Sequence, residues 1–113
     1  MNEIVSLRRL TNLNSKVVRL LNARENAIYS KKNNRGTYRA TYICTEYAKF
    51  GNMFDFLHRV GHLPENLARV YFTDLVHALE LAQDAGIVHH DVRLENLLLD
   101  ANFRLLLADF GMA

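Results

Sequence analysis

The 113-residue chain predicts an α+β fold, and three patterns carry that expectation. Residues 17–47 hold two strand-like runs separated by a polar turn, which reads as an antiparallel hairpin. Residues 64–85 hold apolar side chains at steps of three and four, which reads as one long amphipathic helix. Residues 97–108 hold two short leucine-rich runs around Asp100-Ala101-Asn102, a second hairpin.

Each element has its own reason. Ile4, Leu7, Leu10 and Leu13 recur every three residues with Arg8 and Arg9 on the other side, so the first segment is predicted helical. Val17-Val18-Arg19-Leu20-Leu21 is rich in β-branched residues and predicts a strand. Lys31 to Gly36 is a polar turn, and Tyr38 to Tyr47 predicts the partner strand, with Tyr42, Cys44 and Glu46 on one face. Lys49-Phe50-Gly51 is a connector, and Met53 to Val60 a short amphipathic helix. Pro64 and Glu65 suit the first turn of the long helix, and Gly86 suits its end. That helix would run about 22 residues and about 33 Å, so its apolar stripe calls for a large partner surface. Ile87-Val88 is a short apolar pair after it, and the polar cluster His89 to Asn96 leads into the second hairpin.

Composition bounds the rest. Half the residues are hydrophobic and 23% are charged, which fits a globular chain and not a disordered one. The length allows one small domain at most. Cys44 is the sole cysteine, so no internal disulfide framework exists, and a reducing, cytoplasmic setting is expected. It reads as a buried strand residue, because nothing beside it would lower its pKa. No apolar run approaches the roughly 18 residues of a membrane span, and the N-terminus has no apolar signal region. Residues 1–40 carry nine Lys/Arg against two acids, a balance of +7, while 41–113 carry five bases against ten acids, a balance of −5. No basic motif with interleaved aromatics is read there to support RNA binding, so the basic third is taken as a solvated face and no nucleic-acid partner is expected.

Three polar features stand in order: His89-His90-Asp91, Glu95-Asn96, and Asp109-Phe110-Gly111. Together they supply one carboxylate free to take a proton, and an amide and a carboxylate of the hard-oxygen type that suits Mg²⁺. The pattern His-x-Asp-x-x-x-x-Asn, then a hairpin, then Asp-Phe-Gly resembles the catalytic centre of eukaryotic protein kinases. Upstream, Asn52-Met53-Phe54-Asp55-Phe56-Leu57 is similar to the helix after the kinase hinge, and Asp84 to His89 to the approach to the catalytic loop. Glu3-Ile4 with Leu7 is similar to the regulatory helix, so the resemblance covers essentially the whole chain.

The resemblance implies a partial protein-kinase-like fold: 1–47 as part of the small lobe and 48–113 as part of the large lobe. It implies phosphoryl transfer from ATP to a protein substrate. Asp91 would orient the substrate hydroxyl and accept its proton. Asn96 and Asp109 would hold Mg²⁺. Arg93 stands where the family usually has a lysine near the γ-phosphate, with a different donor geometry. Glu46 to Ala48 would form the hinge that meets the adenine, Thr45 the gatekeeper, Asn52 a contact to the ribose, and Leu98 the floor under the adenine ring. Leu7, Leu20, His89 and Phe110 would stack as a spine. Val92 to Asn96, with acidic Glu95 before the asparagine, leans towards the Ser/Thr kinases.

The chain also departs from that pattern. None of its five glycines are separated by one residue, so no Gly-x-Gly phosphate loop is present. Lysines stand only at 16, 31, 32 and 49, so none precedes Glu3. His90 replaces an arginine that often grips a phosphorylated loop, which implies a parent enzyme independent of that modification. An incomplete catalytic domain is the expectation, with little kinase activity and poor folding of the isolated chain. The alternative is a non-catalytic kinase-like interaction fragment or pseudokinase. Oligomeric state is not readable from these residues.

Overall fold

The computed structural model describes residues 2–13, 15–30, 32–33 and 36–113. Lys31, Asn34 and Arg35 of the expected polar turn lie outside the described residues. The fold is mixed, with three α-helices and two separate antiparallel hairpins among the described residues.

Helix α1 spans Glu3–Leu10. Asn2 caps it by accepting the Val5 N–H at 2.9 Å, a typical N-cap contact. The apolar period predicted a helix reaching Leu13, but α1 stops at Leu10 and Leu13 is exposed. The Thr11 hydroxyl ends it by donating to Leu7 O at 2.7 Å and accepting Leu20 N–H at 3.1 Å.

Strand β1 (Leu20–Ser30) pairs antiparallel with β2 (Thr37–Thr45). The hairpin is as expected, but β1 begins later and runs much further than Val17–Leu21. Residues 22–30 show no clean alternation because the strand is irregular: register shifts fall between Leu20 and Asn22 and between Arg24 and Ala27, and Asn26 has φ 53°. Val17 and Val18 are drawn elsewhere. Val18 N–H donates to Leu107 O (2.9 Å) and Leu107 N–H to Lys16 O (2.7 Å), a parallel bridge that buries both valines. Cys44 corrects a second expectation: it is exposed, on the outward face of β2.

Helix α2 (Met53–Val60) starts at Asn52, whose Oδ1 accepts the Asp55 N–H at 2.8 Å, and ends at Gly61 with φ 87°. Helix α3 (Glu65–Asp84) has Pro64 as its cap, one position outside the helix rather than its first residue. Its end is a full Schellman motif: Ile87 N–H bonds Ala82 O and Gly86 N–H bonds Gln83 O, both at 2.9 Å, with Gly86 at φ 77°. One turn of 3-10 helix (Leu94–Asn96) leads into β3 (Leu97–Leu99), which pairs with β4 (Leu105–Leu107). Strand β4 is shorter than the expected Phe103–Ala108, because Phe103 turns out at φ 57° to stack on Phe50 at 4.1 Å.

The core gathers α1, the 16–18 segment, α3 and the β3–β4 hairpin, with Leu7, Leu10, Leu99, Leu105, Leu107 and Phe110 all at or below 1% exposure. Polar ties reinforce that seam. Arg9 Nη1 donates to Ala85 O (3.3 Å) at the negative end of α3, and Lys16 Nζ lies 3.3 Å from Asp74 Oδ1.

Candidate functional site

The polar cluster after α3 is built around a buried histidine. His89 is 2% exposed and packs edge-on against Phe110, ring centroids 4.6 Å apart. Its Nδ1 accepts the Asp91 N–H at 3.0 Å, and its Nε2 lies 2.8 Å from Ala108 O. Those two partners are both satisfied only by the neutral ring with its proton on Nε2. The next residue, His90, sits at φ 67°, a strained backbone for a side chain of that size. The kink turns the chain so that Asp91 faces back over the loop.

Asn96 holds that loop closed. Its Nδ2 donates to Asp91 O (2.8 Å) and to Asp91 Oδ2 (3.0 Å), and the residue is 6% exposed. Arg93 approaches from the solvent side, its Nε 3.5 Å from Asp91 Oδ1 and 3.2 Å from Glu95 Oε2. Glu95 therefore shares the guanidinium with Asp91, a role its place in the motif did not reveal.

Asp109 is brought alongside by the backbone, because Ala108 N–H donates to Asn96 O at 2.9 Å. Asp109 has φ 60°, and its Oδ1 accepts the Gly111 N–H at 3.2 Å. A Cβ at Gly111 would stand 3.1 Å from Asp109 Oδ1 and 4.0 Å from Glu3 Oε2. Glycine thus leaves room for the Asp109 carboxylate, and Glu3 of α1 reaches the same end of the site. With Nδ2 of Asn96 engaged by Asp91, its Oδ1 and the Asp109 carboxylate are the oxygens left for a cation. Among the described residues no group of three His, Cys, Asp or Glu could by itself hold a metal. A two-oxygen set fits Mg²⁺, which keeps water and phosphate oxygens in its shell.

The remaining sequence-selected residues fall in a second group. Thr45 ends β2, and Glu46 closes onto Arg19: Glu46 N–H donates to Arg19 O (2.9 Å) while Glu46 Oε1 accepts Arg19 N–H (2.7 Å). Ala48 O accepts the Gly51 N–H at 3.1 Å, which turns the connector towards β3. Phe50 and Gly51 then bond Leu99, and Asn52 bridges Leu98, so Asn52 and Leu98 stand side by side. The Asn52 side chain is engaged in capping α2. Leu98 is half-buried between two buried leucines, its side chain on the opposite face of β3 from theirs.

Beyond the site, the β3–β4 turn is charged and closed by its own hydrogen bonds. Asp100 Oδ1 accepts the N–H groups of Asn102 (2.8 Å) and Arg104 (2.9 Å), and Arg104 Nε lies 3.3 Å from Oδ2. Burial raises the Asp100 carboxyl, but those backbone donors and the Arg104 charge outweigh it and hold the group below the ordinary carboxylate range. Tyr71 of α3 donates to Phe103 O at 2.8 Å, and burial, with Asp74 and Asp100 nearby, raises its phenol.

Comparison with known proteins gives a consistent result. The family described as protein kinase domain matches residues 1–113. The mouse serine/threonine-protein kinase SIK1 is 53% identical over 70 residues, 62% of this chain and 9% of that protein. The CBL-interacting serine/threonine-protein kinase 16 of Arabidopsis thaliana is 39% identical over 77 residues, 68% of this chain and 16% of that protein. Rice OSK3 (subspecies indica), also a serine/threonine protein kinase, is 40% identical over 72 residues, 64% of this chain and 14% of that protein. The chain thus spans well under a fifth of the length of the curated relatives it matches.

Proposed function

The chain belongs to the protein kinase family, and on that premise we propose that its site serves phosphoryl transfer from Mg-ATP to a serine or threonine hydroxyl of a protein substrate. The observation that carries the reading is the pair of hydrogen bonds from Asn96 Nδ2 to Asp91, made while the Asn96 carbonyl accepts the N–H of Ala108, the residue before Asp109. That arrangement supports Asp91 as the proton acceptor, with Asn96 on the same loop and Asp109 tied to it from beyond the β3–β4 hairpin.

In this reading Asp91 orients the substrate hydroxyl and takes its proton, with its position set by His89 and Asn96. Asn96 Oδ1 and the Asp109 carboxylate hold Mg²⁺, which when bound neutralises charge on the phosphates. Arg93 meets the γ-phosphate, and Glu95 steadies it from the other side. The backbone of Glu46 and Ala48 meets the adenine with Thr45 behind it, Leu98 lies beneath the ring, and Asn52 stands at the ribose. The relatives' names and the acidic Glu95 support serine/threonine as the acceptor class. An intracellular setting suits both ATP and the free thiol of Cys44.

The test is Mn²⁺-ATP as a paramagnetic probe in amide-resolved NMR of the 113-residue chain. Selective broadening at Asn96, Asp109 and Gly111, lost in Asp109→Ala, is the expected result. Broadening that ignores Asp109→Ala, or none with millimolar nucleotide, overturns the reading. Weak binding and slow transfer are expected of these residues alone, since they hold no Gly-x-Gly pair.

One feature favours a second reading, a non-catalytic interaction fragment. Phe72 and Val76 of α3, one turn apart, stand exposed together, and Leu67 and Val70 are exposed on another side of the helix, apolar surface of the kind that marks protein contacts. Failure of the Mn²⁺-ATP experiment would leave that reading in place.

A further inference from the structure

The basic first third of the chain has no part in the site described above. Residues 19–45 hold six bases (Arg19, Arg24, Lys31, Lys32, Arg35, Arg39) against Glu25 alone, a balance of +5. Along the chain Tyr29, Tyr38 and Tyr42 alternate with Lys31, Lys32, Arg35 and Arg39. Strand pairing decides which of these residues share a face.

The register sets Tyr29 opposite Tyr38 and Arg24 opposite Tyr42, with Ala27 opposite Ala40 between them. Side chains alternate along β2, so Tyr38, Ala40 and Tyr42 share one face, and their partners Tyr29, Ala27 and Arg24 share it with them. Ile43, on the opposite face, packs against the core, so the tyrosine face is turned outward. Tyr29, Tyr38 and Tyr42 are 53%, 47% and 41% exposed. The rings of Tyr29 and Tyr38 lie 5.3 Å apart at 52°, a tilt that leaves an open face on each, and Asn22 Nδ2 fixes Tyr42 by donating to its hydroxyl at 3.1 Å. Neither Arg24 nor Arg39 nor Lys32 has an ion pair among the described residues.

We propose that this tyrosine- and arginine-bearing face of the β1–β2 ribbon binds single-stranded nucleic acid. Flat rings exposed on a two-stranded ribbon suit unpaired bases, because every base has a stacking face and a duplex hides it. Tyr38 and Tyr42 are four residues apart on one strand, about 13 Å, which gives room for about four nucleotides. Arg24 sits on the same face, and it and Lys32 of the connecting turn supply charge that tracks the backbone. An acidic peptide would meet the charge but leave the rings without a partner.

The experiment is fluorescence anisotropy of a labelled oligo-dT of roughly 12 nucleotides with the full chain over a salt series. Binding should weaken as salt rises, and a duplex of equal length should compete about tenfold worse. The double variant Tyr29→Ala/Tyr38→Ala should lose about tenfold in affinity or more without any change in charge. Tyr29→Phe/Tyr38→Phe keeps the rings and should stay within about twofold, which separates lost stacking from lost folding. Arg24→Gln should lower the salt slope by about one. The proposal is overturned if the alanine pair binds as the parent does, or if the phenylalanine pair falls with it. It is equally overturned if poly-glutamate or duplex competes as well as oligo-dT, or if the chain binds phosphatidylserine vesicles and not the oligonucleotide.

Discussion

His89 shows how much one side chain decides. A ring that accepts from Asp91 N–H and donates to Ala108 O fixes the loop and the strand before Asp109 at once. The motif made His89 visible in sequence, but only its partners fix the tautomer. Asp100 was legible merely as a turn residue, and its ionisation is decided by what surrounds it. Its carboxyl titrates lower in the fold than in the unfolded chain. Its stabilising contribution is therefore complete above the ordinary carboxylate value, about pH 4, and is lost as pH falls through the lowered one. Asp100→Asn should lower the melting temperature at neutral pH, and the gap to the parent should close in melts taken down to about pH 2.

At the scale of elements, helix α3 was readable nearly to its ends, because caps are local chemistry: Pro64 before it, Gly86 after it. Strand β1 was not, because its bulges break the period of two and its partner is 25 residues away in the case of Leu20 and Thr45. Strand β4 was read too long, and its second pairing was invisible. Leu107 bonds β3 on one side and the 16–18 segment on the other, and is fully buried. Leu107→Ala should cost about 2–5 kcal/mol in chemical denaturation. A loss below about 1 kcal/mol would mean that this junction is looser than its geometry indicates.

Over the whole molecule, the radius of gyration is 16.0 Å, against about 13 Å for a compact domain of roughly this size. The excess fits a long hairpin with little core behind it: β1 and β2 have no fully buried residue. The first half joins the second through buried Leu7 and Leu10 of α1 and through the seam formed by Arg9, Lys16 and Val18. Arg9→Gln combined with Asp74→Asn should speed amide exchange in α1 while leaving β3 and β4 protected. Equal acceleration in both would show one undivided folding unit. The α+β class, the order of elements, the family and the candidate catalytic loop were all determined by the sequence, because they rest on local period, caps and short motifs. The tertiary structure alone decided that Val17 and Val18 serve β4, that Glu95 shares Arg93 with Asp91, and that Arg24 and the tyrosines meet on one face. The first and last depend on which distant segment pairs with which, set by burial across the chain, and the second on the loop's folded shape, none of which a local pattern encodes.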